Sequence, residues 1–154
     1  MDPFSHIVIT RKLVSTQPSI VMIGGIVPDI PFYLTYPTWM IKQRMVTAAI
    51  KTGNWPEPPQ WMKTWHHAFH SFPLLLIGSM MFKWFTRQWP TKVLMAWGLH
   101  ILVDIPTHSR KQWGPQFLFP FSRITVDGIS WAEIAIRLYA QLRYSLNIGT
   151  RRIK

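Results

Sequence analysis

Residues 64–82, TWHHAFHSFPLLLIGSMMF, run for nineteen positions without a formal charge, and three histidines precede a wholly apolar stretch. Such a run suits a lipid-facing or deeply buried helix, because an unpaired ionised side chain inside it would be strongly destabilising. Two other stretches share the property. Between Leu13 and Ile41 the only formal charge is Asp29, and between Val93 and Ser109 it is Asp104. A bilayer span takes about 20 predominantly apolar residues. Gln17–Met40 reaches that length, but Pro18, Pro28, Pro31 and Pro37 interrupt it and exclude one straight helix. Trp65–Arg87 and Lys92–Ile105 are short or marginal as spans, and the mean hydropathy of the whole chain is only +0.08. The expected fold is therefore all-α: a compact membrane-embedded or membrane-associated helical bundle with Pro-broken helices, with residues 1–154 forming a single domain.

Composition narrows the function classes. The chain has 154 residues and a formal charge of +11, yet 48% of it is hydrophobic and only 15% charged, which excludes a disordered polybasic tail. Thirteen prolines exclude a coiled coil. The absence of cysteine removes disulfides, Cys-based zinc fingers, iron–sulfur clusters and thiol nucleophiles, so any metal must be held by His and carboxylates. Trp39, Trp55, Trp61, Trp65, Trp84, Trp89, Trp113 and Trp131 border apolar runs, as in the aromatic belts of membrane interfaces. Met1–Val14 lacks the apolar run and cleavage site of a secretory signal and reads as mature protein.

Local signals divide the chain further. Phe4–Val14 reads as a short helix, Ser19–Val27 as an apolar helix with Gly24-Gly25 for close contact, and Lys42–Lys51 as a basic amphipathic helix. Pro28-Asp29-Ile30-Pro31 breaks the second of these and leaves Asp29 at its end. Arg110–Val126, rich in aromatics, Pro and Gly, reads as a loop folding over another part of the molecule. Ser130-Trp131-Ala132-Glu133 reads as a capping box opening a last helix that ends near Asn147–Gly149.

The ionisable groups within this apolar frame carry the chemistry. Asp29, His66, His67, His70, His100, Asp104 and His108 all lie in the charge-poor segments or at their ends. Buried ionisable groups persist when paired or bound to metal, so their concentration points to a site. His66 and His70, or His67 and His70, are spaced to share a helix face, as are His100 and Asp104. A hairpin turning at Trp89-Pro90 would set Asp104 opposite Leu75 and His108 opposite Ser71, with Pro106 ending the second helix at about Ile105. Imidazoles with carboxylates suit Zn²⁺, Mn²⁺ or Fe²⁺, with zinc placed first, and the mixture suits metal-assisted phosphoester hydrolysis.

The segments Gly24-Gly25-Ile26-Val27-Pro28-Asp29, His66–Ser71 and Gly98–Thr107, followed by Pro120-Phe121-Ser122, resemble the bacterial membrane-bound metal-dependent hydrolase family, itself distantly similar to zinc-dependent phospholipase C. The resemblance covers most of the chain, and its His-x3-Asp element is the most specific part. It implies His6, Asp29, His70, His100 and Asp104 as ligands, with Ser71 and Thr107 supporting them. Where the family has His-Arg before its His-Ser, this chain has His66-His67 at altered spacing, so either histidine is a candidate ligand. Pro31 stands where the family has a second acid. The metal set expected is His6, Asp29, His67, His70, His100, Asp104 and His108, with Asp104 and His70 catalytic.

The expected function is that of a membrane-bound hydrolase of a phosphoester in a lipid or lipid-linked substrate, at the bacterial cytoplasmic membrane. Lys42, Arg44, Lys51, Arg110-Lys111, Arg143, Arg151, Arg152 and Lys154 would attract anionic lipid headgroups. The same charges would also suit nucleic acid, a weaker expectation because the aromatics border apolar runs rather than a basic groove. The alternatives are a non-enzymatic membrane protein with a structural metal, and a basic nucleic-acid-binding or phosphodiesterase protein.

Overall fold

The computed structural model describes residues 3–52, 55–109 and 114–129. These residues form α1 (Pro3–Leu13), α2 (Pro18–Gly25), a 3₁₀ turn (Val27–Asp29), α3 (Ile30–Lys42), α4 (Val46–Thr52), α5 (Gln60–Phe69), α6 (Phe72–Thr86) and α7 (Thr91–Thr107). No strand occurs among the described residues, so the class is all-α. The expected capping box and final helix lie outside them, as do Trp113 and the basic residues from Arg110 and Lys111 and from Arg143 onward.

Prolines set most of the boundaries. Pro18 opens α2 behind the extended Gln17, where its missing N–H leaves no gap. Pro28 sits in the 3₁₀ turn that separates α2 from α3 and re-aims the chain at Asp29. Pro73 explains a departure from expectation: the Trp65–Arg87 segment is two helices, broken at His70-Ser71. Its ring would clash with the carbonyl four residues earlier, that of Phe69, if α5 continued into α6. Ser71 caps the new helix, its Oγ accepting the Leu74 N–H at 3.2 Å. Pro106 acts later than expected, since α7 runs on to Thr107 before His108 turns extended.

A second departure concerns Lys42–Lys51. The chain turns through Arg44 at a φ of 57°, and the Met45 N–H returns to the Met40 carbonyl at 3.0 Å. This turn lets Met40 and Ala49 pack with Tyr36 and Met62 in one buried cluster joining α3, α4 and α5. A continuous helix from Lys42 would carry Ala49 away from it.

Helix α7 packs mainly on α2, and α2 on α1, with a lighter contact between α7 and α6. Gly24 and Gly25 permit the close approach. A Cβ on Gly24 would lie 2.8 Å from Cβ of Ala96 on α7 and 2.8 Å from Oγ1 of Thr10 on α1. A Cβ on Gly25 would lie 2.6 Å from Cγ1 of Ile7. The α6–α7 register differs from that of a simple hairpin: His70, rather than Leu75, stands opposite Asp104, Leu75 lies near Gly98, and the Trp97 indole N–H donates to the Phe69 carbonyl at 2.8 Å.

Pro18–Lys42, 25 residues long across its 3₁₀ turn, is long and apolar enough to cross a bilayer, and only 33% of its most apolar window is buried within the protein. Helix α6 is a shorter apolar helix whose Leu76, Ile77, Met80, Met81 and Phe85 are exposed. Surfaces of this kind match hydrocarbon better than water.

Candidate metal centre

Four residues from three segments meet at one buried point. Asp29 arrives from the end of the 3₁₀ turn, His70 from the α5–α6 break, and His100 and Asp104 from one face of α7. Each offers a ligand atom, and these atoms all lie within 4.8 Å of one another. His70 Nε2 is 3.2 Å from Asp29 Oδ1 and 3.2 Å from Asp104 Oδ2. His100 Nε2 is 3.2 Å from Asp104 Oδ2 and 3.7 Å from Asp29 Oδ2.

The backbone determines which ring nitrogens point inward as bases. His100 Nδ1 lies 2.8 Å from the Gly24 carbonyl, and His70 Nδ1 lies 2.9 Å from the His66 carbonyl. A carbonyl oxygen only accepts, so both Nδ1 atoms carry a hydrogen and donate it. In a neutral imidazole the lone pair is then on Nε2. The two Nε2 atoms are 3.2 Å apart, facing each other and two carboxylates. Four acceptors directed at one point in a dry site repel unless a cation lies among them. Outer donors that lock the tautomer are the usual support of a metal-binding histidine. The donor set of two imidazoles and two carboxylates fits a divalent ion.

His6 and His108 approach the other oxygen of Asp104. His6 Nε2 is 3.0 Å from Asp104 Oδ1, and its ring stacks on His100 with centroids 3.7 Å apart. His108 Nδ1 is 3.5 Å from Asp104 Oδ1 and 3.1 Å from the Asp104 backbone carbonyl, to which it donates. Both expected ligands thus adjoin the group through Asp104, outside the four that converge. Thr10, one helical turn beyond His6, is buried between α1 and α2.

The choice between His66 and His67 is also resolved geometrically. His67 is not brought into the group, because its Nδ1 accepts the Gln116 N–H at 3.4 Å. Burial above all, with the Lys63 charge acting the same way, pushes its imidazole down to about 4, so it is a neutral acceptor near pH 7. His66 stacks near His70 with centroids 4.1 Å apart, and both of its ring nitrogens are buried without a hydrogen-bond partner. Of the two candidates it is the one whose ring lies against a member of the group.

A prediction follows for His67. With a folded pKa near 4 against an ordinary 6.5, the unfolded chain binds more protons between those values. The contribution of His67 to stability is thus present above pH 6.5 and lost as the pH falls towards about 4. Thermal melting of chelated protein across this window should show the decline, and His67→Gln should flatten it. An equally steep profile in the variant would reject the assignment.

The supporting residues lie at helix ends. Ser71 Oγ donates to the Phe119 carbonyl, and the Phe72 N–H donates to the Phe117 carbonyl at 2.9 Å. The 116–122 turn is thereby fixed against the α5–α6 break, as expected of a loop folding over another segment. Thr107 Oγ1 donates to the Val103 carbonyl at 2.9 Å and stabilises the end of α7 without touching the four ligands. The Gly24 and His66 carbonyls were not legible as site groups. The only signal for either was the Gly24-Gly25 pair, read as a packing feature.

The family model of the YdjM inner membrane proteins matches residues 1–150, and the chain belongs to that family. It is accordingly a bacterial inner membrane protein. No curated protein and no solved structure matches it.

Proposed function

We propose that this YdjM-family inner membrane protein is a metal-dependent hydrolase of a phosphoester in a lipid or lipid-linked substrate, with zinc as the preferred ion ahead of manganese or iron. The observation that carries the reading is the convergence of Asp29, His70, His100 and Asp104 with both imidazole lone pairs turned inward. Held by Asp29, His70, His100 and Asp104, a divalent ion would supply Lewis acidity for phosphoester hydrolysis.

The chain's own groups do the remainder. The Gly24 and His66 carbonyls hold the two imidazoles in the metal-binding tautomer. Asp104 divides its carboxylate, Oδ2 towards the four-residue group and Oδ1 towards His6 and His108. Of these two, His108 has its side chain 22% exposed and His6 only 1%. His108 is therefore the one of the pair that lies nearer to water. The basic residues would draw anionic headgroups to the surface, worth about 1 kcal/mol each near the membrane.

A structural metal is the second reading, favoured by the way the centre ties together the 3₁₀ turn, the α5–α6 break and α7. The two separate under chelation. For the hydrolase, a chelator is expected to abolish release of phosphate product from a long-chain phosphoester presented in mixed micelles, and zinc to restore it. A purely structural metal predicts a lower melting temperature on chelation with no turnover by the loaded wild type. Chelator-insensitive turnover would sink both.

A further inference from the structure

A groove of about 420 Å³ runs between α6 and α7, from Ala68 and Phe69 at the end of α5 to Pro90 at the α6–α7 turn. Phe69 and Trp97 wall its inner end, and Leu75, Gly78, Phe82 and Val93 continue it. Phe69 immediately precedes His70, and Trp97 lies one helical turn before His100, so the inner wall and the metal-binding side chains share backbone. Ser79 contributes the one hydroxyl in a lining that is otherwise apolar, and the Trp97 indole N–H is already engaged by the Phe69 carbonyl. At Gly78 the wall is open: nothing lies within 4 Å of where a Cβ would stand.

We propose that this groove binds one acyl chain of a bilayer phospholipid, with the phosphate end at the metal centre. The proposal rests on the hydrolase reading for the role of the phosphate and on the groove itself for the chain. An extended peptide is a poor occupant, because its backbone N–H and C=O groups would be buried against walls with almost nothing to pair with them. A hydrocarbon chain makes no such demand. The family lives in the inner membrane, where acyl chains are the solvent of the exposed α6 surface. From Leu74 to Phe82 the groove follows about 12 Å of helix axis, a length suited to the upper part of a chain that enters at the headgroup level.

Gly78→Phe should fill the open wall without touching the metal ligands, and Val93→Trp should fill it from α7. Ile77→Phe places the same side chain at an exposed position outside the lining and serves as the control. The full chain is placed in vesicles of phosphatidylethanolamine and phosphatidylglycerol containing phosphatidylglycerol with a diazirine in its acyl chain. After irradiation, labelled peptides are mapped by mass spectrometry, and each variant's melting temperature confirms folding. Labelling of Leu75, Val93 and Trp97 is expected in wild type and in Ile77→Phe, with about a tenfold loss in whichever of Gly78→Phe and Val93→Trp melts like wild type. Undiminished labelling there, or crosslinks from the groove to other parts of this chain in place of lipid, would overturn the proposal. A parallel assay compares a long-chain phosphoester with a water-soluble aryl phosphodiester. Selective loss of the long-chain activity in Gly78→Phe supports the groove as the substrate's tail site. Equal activity of variant and wild type on the long-chain ester overturns it. If wild type turns over neither ester while the labelling pattern holds, the hydrolase reading fails and the acyl-chain site stands.

Discussion

Asp104→Asn is expected to abolish stoichiometric binding of added zinc and, with it, the proposed hydrolytic turnover. The substitution preserves shape and volume, so its effect isolates the charge. Asp104 faces His70 and His100 through Oδ2, and His6 and His108 through Oδ1, all within 3.5 Å. An amide in its place offers one weak acceptor and turns an N–H₂ towards one of the two histidine pairs. Loss of a partner that merely supports a ligand costs about 10–100-fold in metal affinity, and loss of a charged ligand at the centre should exceed that. The accompanying stability change has an informative sign. In chelated protein the amide relieves part of the repulsion among converging acceptors, so the melting temperature should fall less between wild type and variant than it does in the zinc-loaded pair. Elemental analysis and paired melting curves provide the check. Wild-type zinc content in the variant would remove Asp104 from the centre.

Gly24→Ala should be strongly destabilising. The added Cβ would lie 2.8 Å from Ala96 and 2.8 Å from Thr10, with a third contact of 2.9 Å to the Thr10 methyl, so α1 and α7 must both yield. Overpacking of this kind costs about 1–3 kcal/mol. The displacement also moves the carbonyl that holds His100 Nδ1, so metal affinity should fall together with melting temperature. Gly78→Ala supplies the contrast. It introduces the same methyl into a helix where nothing lies within 4 Å, and it should be neutral or stabilise by up to about 1 kcal/mol through helix propensity. Equal melting temperatures for the two alanine variants would show that the α1–α2–α7 junction is looser than described.

The core of the candidate donor set was readable from the distribution of charge, and the helical class from helix signals without period-2 strand patterns. Asp29 and Asp104 stand alone in long apolar stretches, and an isolated carboxylate there demands a partner whatever the topology. The i,i+4 spacing of His100 and Asp104 places both on one face of any helix that contains them. His6 entered only through a family resemblance, since no local spacing relates it to a residue 98 positions away. Boundaries were legible where a proline acts on its own neighbours, as at Pro18 and Pro28. They were missed where the consequence lay four residues upstream, as with Pro73 and the Phe69 carbonyl.

What the sequence by itself determined is which residues must avoid lipid and water alone: a histidine and aspartate set in apolar surroundings, on helices too often broken to be simple spans. That follows from solvation and from backbone stereochemistry, both local properties. Only the tertiary structure decided that His70 faces His100, that His66 rather than His67 lies against the group, and that the Gly24 carbonyl sets the His100 tautomer. Those outcomes depend on how closely α1, α2 and α7 approach and on the angle at the α5–α6 break. The physical reason is that close packing couples residues far apart in the chain, and no sequence period records that coupling.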